Sequence, residues 1–275
     1  MRSIAKPDLD IRRVLDELGS GLEVKNLRRL ESELVEGEEE FTSNAIGGDF
    51  RLTAQKHPSI DPPDEDDVQW AWKNRFSSGV GRDMYDALKS GAGSRCPSCL
   101  HGRVHDLDHF LPKSKYPRLA LVPLNLVPIC SDCNGIKRAY VAKSAANEPI
   151  HPYFDDLGDE EWLVATVLEA PGAPLQFEVS PPAAWNATLG SRVAEQFKRL
   201  KLGALYADLA STLIGNLASG LDTRFAASGP AGAKRWLEEM LGTWKASNSE
   251  PYSIAALAAW SSSPFVWNGG WRVER

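Results

Sequence analysis

The four cysteines constrain this chain more than any other feature, because they form two CxxC motifs. Cys96 with Cys99 makes the first motif and Cys130 with Cys133 the second, with thirty residues between them. Each CxxC turn presents two thiolates from one short segment, so two such turns can close a tetrahedral shell around zinc. A thioredoxin-like redox pair would leave the second motif unexplained, and four ordinary buried thiols are the other alternative. The spacing favours a structural zinc site.

The N-terminal sequence and the longest uncharged segment bear on the cellular location. Lys6, Asp8 and Asp10 lie where a secretory signal needs a continuous apolar stretch. The uncharged segment 251–271 contains Pro264, several serines and paired glycines, which does not fit a membrane span. We therefore expect a cytoplasmic protein that does not enter the membrane, in which the thiols stay reduced and are available to a metal ion.

Charge is concentrated in the segment that contains the cysteines. Residues 94–143 hold eight Lys and Arg against three Asp, a net charge of +5 in a chain whose total is −6. The rest of the chain therefore sums to −11. A polyanion such as DNA would be attracted to this segment and repelled by the remainder.

Composition and hydrophobic spacing divide the chain into three regions. Residues 1–93 are predicted to be helical, with a long loop near 41–67 that is rich in Gly, Pro, Asp and Ser. Residues 94–145 form the cysteine-containing core, and 146–275 are predicted to form a short hairpin followed by a helical region. In that last region five leucines at intervals of four predict a core-facing helical stripe, at positions 205, 209, 213, 217 and 221.

The polar residues around the cysteine motifs suit phosphodiester hydrolysis. His109 can serve as the general base, because a neutral imidazole is available near pH 7. Asp108 and Asn134 offer hard oxygen ligands for Mg²⁺ or Mn²⁺ and leave coordination positions for water and phosphate. Neighbours on an extended strand point to opposite sides, so Asp108 and His109 can perform separate tasks.

The order of these residues resembles the HNH endonuclease family in its His-Asn-Asn form. The resemblance rests on the DH pair at 108–109, the NL pair that begins at Asn125, and CxxCN followed three residues later by Lys137. It covers about fifty residues and implies an α+β protein, with a ββα-metal core and structural zinc embedded in mainly helical flanks. It implies that Asn125 fixes the loop and the orientation of His109 without touching the metal, and that cleavage leaves a 5′-phosphate. Stand-alone proteins of this size are similar to bacterial anti-phage nucleases, including the Septu type that works with an ATPase partner.

Several basic residues are candidate nucleic-acid contacts, and each has a competing interpretation. The candidates are Lys113, Lys115, Arg118, Lys137 and Arg138. We expect the last two on the first turn of the helix that the second motif opens, where backbone amides favour phosphate. The other three fit a solvated basic loop nearly as well. Asp106 could serve as a second metal ligand, but a solvated carboxylate on the strand is favoured. His101 and His105 also lie near the motif, and a surface position is favoured for both.

Substrate and catalytic competence also have alternatives. DNA is favoured over RNA, because the basic segment lacks an aromatic platform of the kind that stacks single-stranded bases. A different class of protein also fits: a catalytically silent, zinc-stabilised nucleic-acid-binding or scaffold subunit. Together, Asp108, His109 and Asn134 favour the enzyme.

Overall fold

The chain has an α+β architecture of two compact units. A computed structural model describes residues 1–55, 62–247 and 249–273. The first unit is Met1–Gly158 and the second is Asp159–Arg275, and each contains one two-stranded antiparallel sheet. Among the described residues, no helix combines the length and the apolar character that crossing a bilayer requires.

Short helices form the N-terminal part of the first unit. They are α1 (Ile11–Glu17), α2 (Leu22–Arg29), α3 (Glu31–Ile46), α4 (Pro62–Ala71) and α5 (Arg82–Ser90). The side chain of Asp10 caps α1 by accepting a hydrogen bond from the Arg13 amide. A π-helical turn, Trp72–Phe76, follows α4 directly.

The loop near 41–67 is much shorter than the sequence suggested. Helix α3 continues to Ile46, because Phe41 and Ala45 follow Leu34 at helical spacing and are buried with it. At the other end α4 begins at Pro62, since proline is well accommodated in the first turn of a helix. The part of the predicted loop at 56–61 lies outside the described residues.

The central segment of the first unit is a β-hairpin followed by a short helix. Strand β1 (Asp106–His109) pairs antiparallel with β2 (Leu126–Ile129), and α6 (Ser131–Lys137) follows at once. Leu107 is opposite Pro128 in the register. The Leu107 amide donates a hydrogen bond to the Tyr85 hydroxyl of α5 (3.2 Å), and the Tyr153 hydroxyl donates one to the Leu126 carbonyl (3.0 Å).

The hairpin and the N-terminal helices share one hydrophobic core. Leu107, Leu119 and Leu126 from the central segment are buried in the same cluster as Leu15 and Phe76 from the N-terminal helices. Burial of this apolar surface is the main force that holds the central segment against the helices. The hairpin is therefore part of the fold of residues 1–158 rather than a separate module.

The second unit combines a hairpin with long helices. Its elements are β3 (Leu163–Val167), β4 (Leu175–Val179), α7 (Ala187–Arg199), α8 (Leu202–Ala246) and α9 (Pro251–Ser262). Helix α8 is interrupted where Ser228 and Gly229 leave helical geometry just before Pro230. A side chain at Gly220 would collide with the Trp236 ring, so the two halves of α8 fold back on one another as a helical hairpin.

The buried face of α8 differs from the predicted leucine stripe. Leu217 and Leu221 are buried, whereas Leu205, Leu209 and Leu213 are only half-buried. Successive steps of four residues rotate about 40° around a helix, so five leucines spaced in this way cannot share one face. The buried positions include one step of three residues, which turns back by about 60° and keeps them on one side of the helix. These positions are Leu202, Tyr206, Ala210, Ile214, Leu217 and Leu221.

Candidate active site and metal centre

The two cysteine motifs come together as a buried cluster that can hold a metal ion. The four sulfur atoms lie within 4.8 Å of one another, and all four residues are buried. The Cys99 and Cys130 sulfurs are 3.8 Å apart, close to the ~3.8 Å that tetrahedral zinc with bonds of about 2.3 Å requires. The hydrogen bonds with Cys130 lower the pKa of Cys96 and of Cys99 and raise the pKa of Cys133, so the four thiols share their protons unequally.

Backbone hydrogen bonds shape both motifs. In the first, the Cys96 amide donates to the Gly102 carbonyl (2.8 Å) and the Gly102 amide donates to the Cys99 sulfur (3.3 Å). In the second, Cys130 caps α6 and its sulfur accepts from the Cys133 amide (3.5 Å). The cluster is thus built into the turn before β1 and into the start of α6, and it joins the two ends of the central segment.

His109 at the end of β1 is buried and held in one tautomer. Its Nε2 lies 3.0 Å from the Ala120 carbonyl oxygen, which can only accept, so Nε2 carries the hydrogen and Nδ1 is the basic nitrogen. Burial, together with the smaller effect of the positive charges of Lys113 and Lys137, lowers the pKa of His109 to about 3, although the hydrogen bond to Ala120 opposes this shift. The imidazole is therefore neutral near pH 7.

Asp108 presents a buried carboxylate oxygen next to a positive charge. The Lys137 ammonium lies 2.7 Å from Oδ2, and it donates a hydrogen bond to the His109 carbonyl oxygen (2.9 Å). This contact is an ion pair that partly neutralises the buried carboxylate. Burial raises the pKa of Asp108, and the charge and hydrogen bond of Lys137 oppose that rise. The carboxylate offers the hard oxygen that a divalent cation prefers, and a cation bound there would share Asp108 with Lys137 or replace it.

Asn125 ties together the loop between the two strands. Its side chain accepts from the Leu111 amide (2.8 Å) and donates to the Leu111 and Leu119 carbonyls (3.1 Å each). It is fully buried. The loop that it holds also supplies the Ala120 carbonyl that contacts His109 Nε2.

Helix α6 positions Asn134 and Lys137 on one face, one turn apart. Since Lys137 contacts Asp108, this face of α6 is turned toward β1. The prediction that Lys137 and Arg138 occupy the first helical turn is wrong, because the helix begins at Ser131 and Lys137 is its last residue. Arg138 is exposed and has a φ of 48°, which ends the helix there.

The other candidate phosphate contacts lie in different environments. Arg118 is 3% exposed and pairs with Glu40 of α3, so it is a structural residue and not a surface contact. Lys137 is buried at Asp108 as described, which also removes it from the surface. Lys115 is exposed, and Lys113 is half-buried. Lys113 and Lys115 therefore remain, with Arg138, as accessible candidates.

The less favoured polar residues near the motif lie toward the surface. His101 and His105 are exposed and Asp106 is partly exposed. His105 Nδ1 lies 3.1 Å from an Asp106 oxygen, a local pair that does not involve Asp108.

Trp72 is a site residue that was not predicted from the sequence. Its ring lies 4.3 Å from the His109 ring at an interplanar angle of 66°, and the Lys113 ammonium lies 5.2 Å from the same tryptophan ring. In the sequence, Trp72 belongs to no motif that distinguishes it from an aromatic residue of the core. The N-terminal helices thus contribute a side chain directly to the candidate active site.

Comparison with known proteins gives a partial relative and no family. The chain is 35% identical over 129 residues to protein ea31 of Escherichia phage lambda; the stretch is 46% of this chain and 44% of the phage protein. The chain thus matches less than half the length of that relative, whose description states no activity. No protein-family model matches the chain, and no solved structure matches it.

Proposed function

We propose that this chain is a metal-dependent endonuclease of the HNH type, in which a ββα-metal core with structural zinc hydrolyses phosphodiester bonds in DNA. One observation carries the proposal: β1 presents the neutral imidazole of His109 and the buried carboxylate of Asp108 as neighbours at one site. The helix that bears Asn134 packs against the same strand through Lys137. Paired β-strands followed by a helix are the arrangement that the resemblance implies.

The residues divide the chemistry as follows. His109 Nδ1 accepts a proton from the attacking water, because Nε2 is committed to Ala120. The water oxygen bonds to phosphorus, the bond to the 3′ oxygen breaks, and that oxygen takes a proton from solvent. Asp108 and Asn134 would hold Mg²⁺ or Mn²⁺, which when bound supplies positive charge at the phosphate and the departing oxygen. Asn125 maintains the loop that orients His109.

Zinc on the four cysteines would have a structural role, distinct from that of the catalytic ion. The sulfur spacing and complete burial fit a closed site with no coordination position for substrate. Zinc there would hold the start of α6 against the turn that leads into β1. It would thereby fix the distance between the strand residues and Asn134.

The charge distribution supports DNA as the substrate. The segment 94–143 carries +5 in a chain of −6, so binding should concentrate at the site and weaken steeply with salt. RNA is the weaker alternative. Cytoplasmic anti-phage defence with an ATPase partner is the biological setting that the resemblance suggests. A pull-down from the native host that recovers no ATPase would contradict the partnership.

A plasmid-cleavage assay at low salt tests the enzymatic proposal. The wild type and His109→Ala are compared with Mg²⁺, Mn²⁺ or EDTA, and His105→Ala is the control because His105 is an exposed histidine four residues away. We expect metal-dependent cutting that falls at least about 100-fold in His109→Ala and is unchanged in His105→Ala. Equal cutting by His109→Ala would refute the assigned base. DNA binding without cutting under any metal would favour the scaffold alternative.

A further inference from the structure

The π-helical turn after α4 brings an aromatic side chain against β1. Trp72, the first residue of this turn, is 8% exposed. Its ring is stacked on Phe76 (centroids 5.4 Å apart, 25°) and lies 6.1 Å from the Tyr85 ring. The T-shaped contact with His109 is the shortest of these, at 4.3 Å. Trp72 thus packs against Phe76 of its own turn and Tyr85 of α5 while it contacts the imidazole of His109.

Helix α5 holds β1 at a second point. The Tyr85 hydroxyl accepts the amide hydrogen of Leu107, two residues before His109. The strand therefore has a main-chain anchor at Leu107 and a side-chain contact at His109. π-helical turns are rare and occur frequently at functional sites, which fits a turn that directs Trp72 to this position.

We propose that Trp72 is a positioning residue for His109 in the nuclease reaction, an inference that rests on the proposed function. The second side-chain torsion of histidine is broad, so the ring needs lateral contacts to stay in one plane. Trp72 supplies such a contact, which keeps Nε2 on the Ala120 carbonyl and Nδ1 in the position of the base. Through its contact with Lys113, Trp72 also holds a cation near the imidazole. The region from α4 to α5 is therefore part of the active site.

Substitutions that separate ring contact from apolar volume test this role in the full-length protein. Trp72→Leu removes the aromatic contact, Trp72→Phe retains an aromatic ring, and Trp70→Leu is the control. Trp70 is half-buried and contacts Arg75 rather than His109. We expect kcat of Trp72→Leu to fall at least about 10-fold with KM within about twofold, because small displacements of a catalytic group cost this much. Trp72→Phe should recover most of kcat. Wild-type kcat in Trp72→Leu, or no recovery with Phe, would overturn the proposal.

An activity-independent readout separates this inference from the nuclease proposal. In NMR spectra, the Nε2 hydrogen of His109 should exchange slowly with solvent in the wild type, Trp72→Phe and Trp70→Leu. It should exchange rapidly in Trp72→Leu at equal zinc content. This pattern in a protein that cuts no DNA would refute the nuclease and retain the positioning role. Equal protection in Trp72→Leu would refute the positioning role even if the wild type cuts.

Discussion

Gly102 leaves no room for a side chain beside the second cysteine motif. A Cβ atom there would lie 2.8 Å from both Cβ and Sγ of Cys130. This distance is shorter than van der Waals contact, so the backbone or the cysteine cluster would have to move. Gly135, on the exposed side of α6, has no such neighbours within 4 Å. Comparing alanine substitutions at the two glycines therefore distinguishes a steric effect at the cysteine cluster from the general effect of replacing a glycine.

We expect Gly102→Ala to weaken metal retention and to destabilise the protein by about 1–3 kcal/mol, as overpacking commonly does. Gly135→Ala should retain metal and be neutral or slightly stabilising, because alanine is favoured over glycine within a helix. Zinc content after graded chelator treatment, together with urea unfolding, measures both effects. Wild-type zinc retention in Gly102→Ala would show that the first motif has more freedom than its contacts indicate.

At the residue scale, local chemistry could be predicted and distant partners could not. The cysteine spacing predicted a cluster because each motif is self-contained, and the buried cluster agrees with it. Arg118 was expected at the surface, but its partner Glu40 lies 78 residues earlier in the sequence. Trp72 was missed for the same reason. No local pattern records a contact that only the tertiary fold creates.

Helix α3 contains an acidic residue whose ionisation opposes folding. Glu38 Oε2 accepts the Ile11 amide hydrogen (3.1 Å), while Oε1 is buried and receives no hydrogen bond from the described residues. Burial, together with the smaller effect of the negative charges of Asp10 and Glu39, raises the pKa of Glu38 to about 7, although the hydrogen bond from Ile11 opposes this shift. Between about pH 4.5 and 7 the folded chain holds a proton here that the unfolded chain releases. The free energy of unfolding therefore falls as pH rises through this window.

Glu38→Gln should remove this dependence. We expect it to raise the free energy of unfolding at pH 8 by about 1 kcal/mol, a value discounted because the side chain is partly exposed. Near pH 4.5 it should change little. Glu39→Gln, on the exposed face of the same helix, is the comparison: it should change the pH dependence only slightly, because the Glu39 charge is the smallest contribution to the raised pKa of Glu38. Urea unfolding at both pH values provides the measurement, and a pH-independent difference between the wild type and Glu38→Gln would contradict the assignment.

At the element scale, the sequence composition predicted which regions are helical better than it predicted where each helix ends. The run that ends α3 contains polar residues typical of loops, yet buried Phe41 and Ala45 extend the helix because packing outweighs local propensity. In α8 the error was different: leucines at regular intervals of four were predicted to form one buried face, although only some of them are buried. Which side of a helix is buried depends on its neighbours, and periodicity alone does not identify them.

A metal ion on the cysteine cluster would stabilise one part of the molecule rather than the whole. All four cysteines lie in residues 1–158, whereas the second unit contains none and has its own buried residues, among them Phe177, Tyr206 and Trp260. Metal binding at structural sites of this kind contributes directly to folding free energy.

Chelation of zinc should therefore open the central segment first. We expect limited proteolysis with mass spectrometry to give new cuts within 94–145, while peptides from 159–275 remain protected. Cys99→Ser should give the same pattern without a chelator. An unchanged pattern after complete metal removal would refute a structural role for the ion.

At the scale of the whole molecule, the sequence predicted an α+β class and did not predict how the parts pack. Segment 94–143 contains no tryptophan. The hydrophobic core that its hairpin shares with the N-terminal helices is seen only in the structure. Many side chains, each contributing a little apolar area, create that core.

The side-chain hydrogen bonds along the first hairpin have a consequence for association. A two-stranded sheet exposes main-chain groups on both outer edges, which can recruit strands from other molecules. On β1, the Leu107 amide donates to the Tyr85 hydroxyl and the His109 carbonyl accepts from Lys137. On β2, the Leu126 carbonyl accepts from the Tyr153 hydroxyl, and Pro128 has no amide hydrogen. Each edge of the hairpin therefore has fewer main-chain groups available to pair with a strand of another molecule.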